Sequence, residues 1–597
     1  MRRLTFFSWA LNQPSEETYD FAQLDETIDR LYKSGIHVCL ATSTGAHPAW
    51  MAHKYPDVLR VDVQGRKRRF GGRHNSCPNS PTYRKYSARL AGKLAERYKD
   101  HPGLLIWHIS NEYGGYCYCD NCAAAFRVWL RERYQTLDEL NRVWNTRFWG
   151  HTFYDWEEIV VPNELSEEWG GSRTNFQGIS LDYRRFQSES LLECYKLEYD
   201  EIKKHTPNVP VTTNLMGLYP ELDYFEWAKH MDIVSWDNYP SLDTPVSHTA
   251  MTHDLMRGLK SGAPFMLMEQ TPSQQNWQPY NSLKRPGVMR LWSYQAVARG
   301  ADTVMFFQLR RSIGACEKYH GAVIEHVGHE HTRVFREVAE LGRELEQLGD
   351  TLLDARTEAK VGIVYDWENR WAIELSSGPT VALNYANEVH KYYDALFQMH
   401  VESDMVSVEE DFGKYEIVIA PVMYMVKPGF AKKSRGVRGG RRNVHHHLLQ
   451  RHRKRKRPGN NRRVSGRAAL RAGHLGGGDR RFAAGTHEPN CDERSLGRAV
   501  GPIRMRPLVR FDPRRRRRGA GGIRFRFLSG HAGRDGQPVR QRPRLLCGEQ
   551  PGCGFPARVP EEPVRGKRHP AAAGRPNWRR SGAPRQGQQS VLVPAEP

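Results

Sequence analysis

Seven short apolar runs recur through the first 310 residues, with amphipathic segments between them. They are LTFFSW (Leu4–Trp9), VCLATS (Val38–Ser43), LLIWHI (Leu104–Ile109), VPVTTNL (Val209–Leu215), IVSW (Ile233–Trp236), FMLME (Phe265–Glu269) and TVMFFQ (Thr303–Gln308). Strands buried on both faces and joined by helices form parallel sheets. One intervening segment, SARLAGKLAERY, puts Leu90, Leu94 and Tyr98 on a single helical face. No glycine-rich phosphate loop follows the first run, so the repetition favours a (β/α)8 TIM barrel over an open sheet. Seven runs are one short of eight, and the first begins almost at Met1. The expected architecture is an α/β barrel lacking its first βα unit.

A second pattern begins near Lys360. KVGIVYD reads as a strand, LNYANEVHKYYDALFQMH as a helix and EIVIAPVMYMV as another strand, the start of an α/β sandwich that stays regular to about Pro428. The expected segments are therefore the barrel (1–355), a partial α/β second domain (356–431) and a disordered Arg-rich tail (432–597).

The tail explains the charge. A net +22 suggests a nucleic-acid binder, yet from Lys432 onward there are 42 Lys+Arg and 10 Asp+Glu, against 47 and 57 before it. RHRKRKRPGNNRR and FDPRRRRRGAGG carry no hydrophobic period; the single lysine after Lys456 is Lys567, and Tyr424 is the last tyrosine. One reading is an Arg-rich nucleic-acid-binding arm. The other is a coding sequence read out of frame. RRNVHHHLLQRHR can be encoded so that a one-base shift yields GGTFTTTYFSGI, a glycine turn followed by the strand the interrupted sandwich requires. The frameshift is the favoured reading, and no nucleic-acid partner is expected.

Other classes are disfavoured. MRRLTFFSWALNQPSEE has an export-like start, but its apolar run is short and Asn-Gln-Pro replaces small cleavage-site residues. A strand is expected there instead. No stretch is long enough to span a membrane, and seven cysteines before residue 432 do not suit a disulfide scaffold in so large a core. A cytoplasmic enzyme is expected.

In parallel barrels reactive groups stand at the C-terminal ends of strands. Glu112 follows LLIWHISN and Glu269 ends FMLME. With the missing unit restored these are strands four and seven, whose ends meet across the barrel mouth. Two carboxyls ~5–5.5 Å apart suit double displacement at a sugar carbon. Glu112 must then be protonated as the glycosidic oxygen leaves, and Glu269 ionised to attack. Close by, Cys117, Cys119 and Cys122 form C-x-C-x2-C, with Cys77 on an earlier loop. Four thiolates suit a closed, structural zinc site (Zn2+) that would tie the loop after Glu112 to its neighbour. Cys39, Cys194 and Cys316 read as ordinary core residues.

NEYGGYCYCDNC and MEQTPSQQNWQPYN, extended by RHNSCPNSP, SWDNYP and CEKYHGAV, resemble the β-galactosidases of glycoside hydrolase family 42 over roughly residues 4 to 430. The resemblance implies Glu112 as acid/base, Glu269 as nucleophile and Asn111 as the amide on the sugar 2-hydroxyl. It further implies that Arg73 binds a galactose hydroxyl near the nucleophile and favours its ionised form. Trp277 would be an apolar platform, and Glu317 with His320 would hold hydroxyls at the closed end; Tyr239 and Trp149 are weaker matches. Some members bind zinc at these cysteines, and a homotrimer walls the sugar site.

The leading expectation is a retaining exo-β-galactosidase acting on a terminal β-galactoside. An α-L-arabinopyranosidase, or another β-glycosidase of the same barrel clan, is the runner-up. A metal-dependent hydrolase is disfavoured, because no His-x-His follows an early strand. A damaged gene product is the third possibility: lacking one βα unit and most of the second domain, the chain as written is expected to show low or no activity.

Overall fold

The computed structural model describes residues 1–4, 7–74, 76–167, 174–433 and 443–446. Two parallel sheets follow chain order. The first holds β1 (Arg2–Leu4), β2 (Val38–Ala41), β3 (Leu104–His108) and β4 (Val211–Thr212). The second holds β5 (Asn214–Leu215), β6 (Ser235–Asp237), β7 (Phe265–Glu269) and β8 (Ala301–Val304). Only Thr213 separates β4 from β5, so together they fill the single position that VPVTTNL marks. Neighbours in sequence are thus neighbours in space, as right-handed βα repetition dictates. Among the described residues no pairing joins β1 to β8.

The continuous apolar runs are buried as their patterning requires. Every residue of β2 and β7 is buried. Between β2 and β3, the helix Pro81–Tyr98 starts on Ser80, whose side chain accepts from the Tyr83 amide, and turns Leu90, Leu94 and Tyr98 inward. One expected element is shorter than its run. Leu4–Trp9 reads as one strand, but β1 ends at Leu4 and Trp9–Asn12 is a helical turn. The cause lies in Trp9, whose fully buried indole packs against Tyr83 and donates to Gln13 Oε1 at 2.8 Å.

The second domain is a parallel sheet of order β10-β9-β11-β12, with β9 (Val361–Val364), β10 (Ser403–Val406), β11 (Ile417–Ala420) and β12 (Asn443–His446). The helices Trp367–Glu374 and Tyr385–Gln398 connect β9 to β10. Sequence patterning shows β9, β11 and the longer helix. It misses β10, because SDMV carries a buried charge. Asp404 survives there by accepting from Arg257 Nη2 at 3.0 Å and from the Tyr415 hydroxyl at 2.9 Å. Arg257 also meets Asp254 at 2.7 Å, so one buried ion network fastens this sheet to the barrel helix Val246–Gly258. Within the segment read as tail, β12 extends the sheet by pairing in parallel with β11, whose edge would otherwise leave backbone donors and acceptors unpaired. Residues 434–442 and 447–597, on which the nucleic-acid and frameshift readings fall, lie outside the described residues. Among the described residues no helix is long and apolar enough to cross a membrane.

Candidate active site

The barrel brings its two strand-end glutamates together. Carboxylate oxygens of Glu112, Glu269 and a third acid, Asp237, all lie within 4.8 Å of one another. Glu269 is the last residue of β7 and Asp237 the last of β6. Glu112 stands four residues beyond β3, in the left-handed backbone region at φ 44°. A non-glycine residue pays strain for that conformation, and here it is held by the Asn214 side chain, whose Oδ1 accepts from the Glu112 amide at 2.9 Å.

Asn214 organises the floor. Its amide nitrogen donates to Asn111 Oδ1 at 3.1 Å and to Asp237 Oδ2 at 2.5 Å, while its oxygen also meets His108 Nε2 at 3.0 Å. Asn111 in turn donates to Glu112 Oε2 at 3.2 Å. The asparagine preceding the acid is therefore oriented by both neighbours.

Two guanidiniums complement the acids. Arg3, from the inner face of β1, pairs with Glu269 Oε1; both side chains are under a tenth exposed. Tyr239 donates to the other oxygen of Glu269 at 2.6 Å. Such charge-assisted contacts favour an ionised carboxylate. Arg73 reaches Glu112 Oε2 at 2.5 Å from a loop where its side chain is 45 % exposed. This corrects the expectation that Arg73 serves the nucleophile. Arg73 lies at the rim and meets Glu112, whereas Arg3 rises inside the barrel and takes Glu269. Burial pushes the Asp237 carboxyl well above its ordinary range, the nearby Glu112 charge adds to this, and Arg3 opposes it.

The remaining matched residues form a wall beside Glu269. The Trp277 indole, 69 % exposed, donates to Glu317 Oε1 at 3.2 Å. His320 is buried, accepts from the Asn276 amide through Nδ1 at 3.3 Å, and lies edge-on to Tyr239 with ring centres 5.5 Å apart. Burial lowers its pKa to about 4, so at neutral pH it is a neutral imidazole. Trp149 is not brought to the acids by any described hydrogen bond or ring contact; it is 66 % exposed and meets Phe148 and His151 on its own loop. Arg3, Asp237 and Asn214 escaped the sequence reading. Asp237 lies inside the quoted SWDNYP, but only its tyrosine was singled out.

The second cluster is the four cysteines. One sulfur from each of Cys77, Cys117, Cys119 and Cys122 lies within 4.8 Å of all the others. Cys77 Sγ is 3.4 Å from Cys119 Sγ and 3.5 Å from Cys122 Sγ. Those spacings far exceed a disulfide bond of ~2.05 Å and approach the ~3.8 Å edge of a tetrahedron of Zn–S bonds near ~2.3 Å. Cys119 occupies the N-cap position of the helix Asp120–Tyr134, and hydrogen bonds from Cys117, Cys122 and Cys77 push its thiol down towards thiolate. Three of the four are buried. Of the other thiols, Cys39 and Cys194 lie in the core as expected, but Cys316 is exposed on the loop beside Glu317.

A family model described as β-galactosidase matches residues 1–348, and one described as a β-galactosidase trimerisation domain matches residues 359–440. The chain belongs to glycoside hydrolase family 42. Among relatives of this family, the β-galactosidase BgaP of Planococcus sp. (strain L4) is 76 % identical over 430 residues, covering 72 % of this chain and 64 % of its own. The β-galactosidase LacZ of Lactobacillus acidophilus is 50 % identical over 433 residues, covering 72 % and 65 %. A crystal structure of β-galactosidase from Bacillus circulans sp. alkalophilus aligns with TM-score 0.73 at 76 % identity, covering 73 % of this chain and 65 % of that one. This family 42 chain thus spans somewhat under two thirds of the length of these relatives.

Proposed function

We propose that this protein is a retaining exo-β-galactosidase that hydrolyses terminal β-D-galactosyl residues through a covalent glycosyl-enzyme. The observation that carries the reading is the close approach of the Glu112 and Glu269 carboxylates at two strand ends, the short separation that retaining glycosidases need. Glu269, kept anionic by Arg3 and Tyr239, attacks the anomeric carbon. Glu112 gives its proton to the departing oxygen, then takes one from the water that breaks the ester. Asn111, oriented by Asn214, holds the 2-hydroxyl as positive charge grows on the ring. Trp277 supplies an apolar face, and Glu317 and His320 supply hydroxyl contacts.

The test is hydrolysis of nitrophenyl β-D-galactoside by the full chain, followed by proton NMR. β-Galactose as the first-formed anomer is expected; α-galactose as first product, or no hydrolysis, would overturn the reading. Parallel rates on nitrophenyl α-L-arabinopyranoside decide whether the hydroxymethyl group is selected for.

The four cysteines fit a structural Zn2+, each supplying one thiolate, with no coordination position left for water. Bound zinc would anchor the loop after β3 that presents Glu112. We also propose, from the trimerisation-domain match, assembly as a homotrimer.

A further inference from the structure

Double displacement uses two carboxyls, but this site holds three. Asp237 has no part in that scheme, although its carboxyl is buried and one of its oxygens lies within 4.8 Å of a Glu112 oxygen. Its Oδ2 accepts from Asn214, and its Oδ1 finds no donor among the described groups. Two carboxylates cannot hydrogen-bond to each other; one proton between them turns repulsion into a bond. The groups facing Asp237 are Glu112 beyond β3, Asn214 of β5, Tyr239 two residues on, the buried Tyr224, Glu269 of β7 and Arg3 of β1. His108 contacts both Asn214 and Arg3, and burial holds it neutral.

We propose that Asp237 and Glu112 share a single proton, making Asp237 the positioning residue that keeps an acid proton on the catalytic pair. The inference deepens the glycosidase reading and rests on it for its kinetic arm.

Charge conservation supports the arrangement. In the free site the pair carries one negative charge and Glu269 another, balanced by Arg3 and Arg73. Glycosylation sends the shared proton to the departing oxygen while the Glu269 carboxylate becomes a neutral ester. The pair then carries both negative charges, and the two guanidiniums still balance them. When water attacks the anomeric carbon, its proton returns to the pair and Glu269 leaves as carboxylate. The site stays neutral at each stage, so no charge is left uncompensated in a low-dielectric interior. Arg3 and Arg73 also supply the positive charge that a metal would bring to three clustered acids.

Two measurements test this. Infrared difference spectra at neutral pH compare the full chain with Asp237→Asn, which keeps the shape and an oxygen for Asn214. A protonated-carboxyl stretch present in the parent and absent from the variant is expected, whether or not the chain turns over; no such difference would overturn the proposal. Where hydrolysis is measured, Asp237→Asn should move the alkaline limb of kcat/KM to lower pH by about one unit or more. Galactosides with poor leaving groups should be slowed more than activated aryl ones, and Asp237→Glu should restore the limb. An unmoved limb with equal loss on all substrates would mark Asp237 as structural only. Absence of hydrolysis by the parent would overturn the glycosidase reading, while the infrared result still decides the shared proton.

Discussion

The carboxyl cluster and the cysteine cluster approach each other in sequence between Glu112 and Cys117 and are built to the same scale, with donor atoms inside 4.8 Å in both. They differ in how their like charges are managed. The carboxyls receive their counter-charge from the chain itself, through Arg3 and Arg73. The sulfurs are hydrogen-bonded to one another, Cys122 Sγ also accepts from Asn79 Nδ2 at 3.4 Å, and Cys119 Sγ accepts from the Cys122 amide. A cluster balanced by its own side chains can change protonation during a reaction. A cluster that relies on an external cation is fixed once that ion binds. The first is fit for chemistry, the second for scaffolding.

The largest effect separating them should come from Glu269→Gln. It leaves Arg3 facing a neutral amide and should lower kcat about 10,000-fold or more, measured on an activated aryl galactoside while zinc content stays at the parent level. Cys119→Ser should do the reverse. Metal analysis should fall from one zinc per chain towards none and the melting temperature should drop by several degrees, because structural metal binding is folding free energy. Retention of full zinc would break the contrast.

Exchanging the two arginines sharpens it further. Arg3→Gln should cost about 100- to 1,000-fold in kcat, the usual size for one preorganised charge in a dry site. Arg73→Gln, at an exposed position, should act mainly on KM. Equal effects on kcat would contradict the division of labour between barrel wall and rim.

The smallest effect concerns a carboxyl with no counter-charge at all. Glu198 is fully buried, accepts from Thr44 Oγ1 at 2.9 Å and leaves Oε1 unpartnered; burial raises its pKa to about 8 from 4.5. A carboxyl raised on folding contributes stability that is complete below about pH 4.5 and lost as pH rises through about 8. Glu198→Gln should flatten that decline by a few kcal/mol at most, read from urea unfolding at pH 5 and pH 8. An unchanged slope would show that Glu198 ionises freely.

Much of this organisation is legible before folding. Parallel strands announce themselves as apolar runs, so the barrel, β9 and β11 follow from patterning. Glu112 and Glu269 stand out because a charge interrupts such a run at its C-terminal end. Arg3 does not, since nothing near Met1 says that its side chain crosses the barrel to β7. Asp237 is hidden for a similar reason: beside Tyr239 in SWDNYP it reads as a turn former, and only the packing of β6 beside β5 and β7 puts it against Glu112. The carboxylate that Arg73 meets is hidden on the same ground. Sequence offers an arginine on a loop, but which acid it meets depends on how far that loop reaches.

The amino-acid order alone determined most of the strands and helices and which side chains carry reactive groups, because periodicity and residue chemistry are local. Folding decided the pairings: which guanidinium serves which carboxylate, which sulfurs converge, and where a third acid meets Glu112 and Glu269. Those choices depend on distances between strands far apart in the chain, fixed by curvature and packing of the whole barrel.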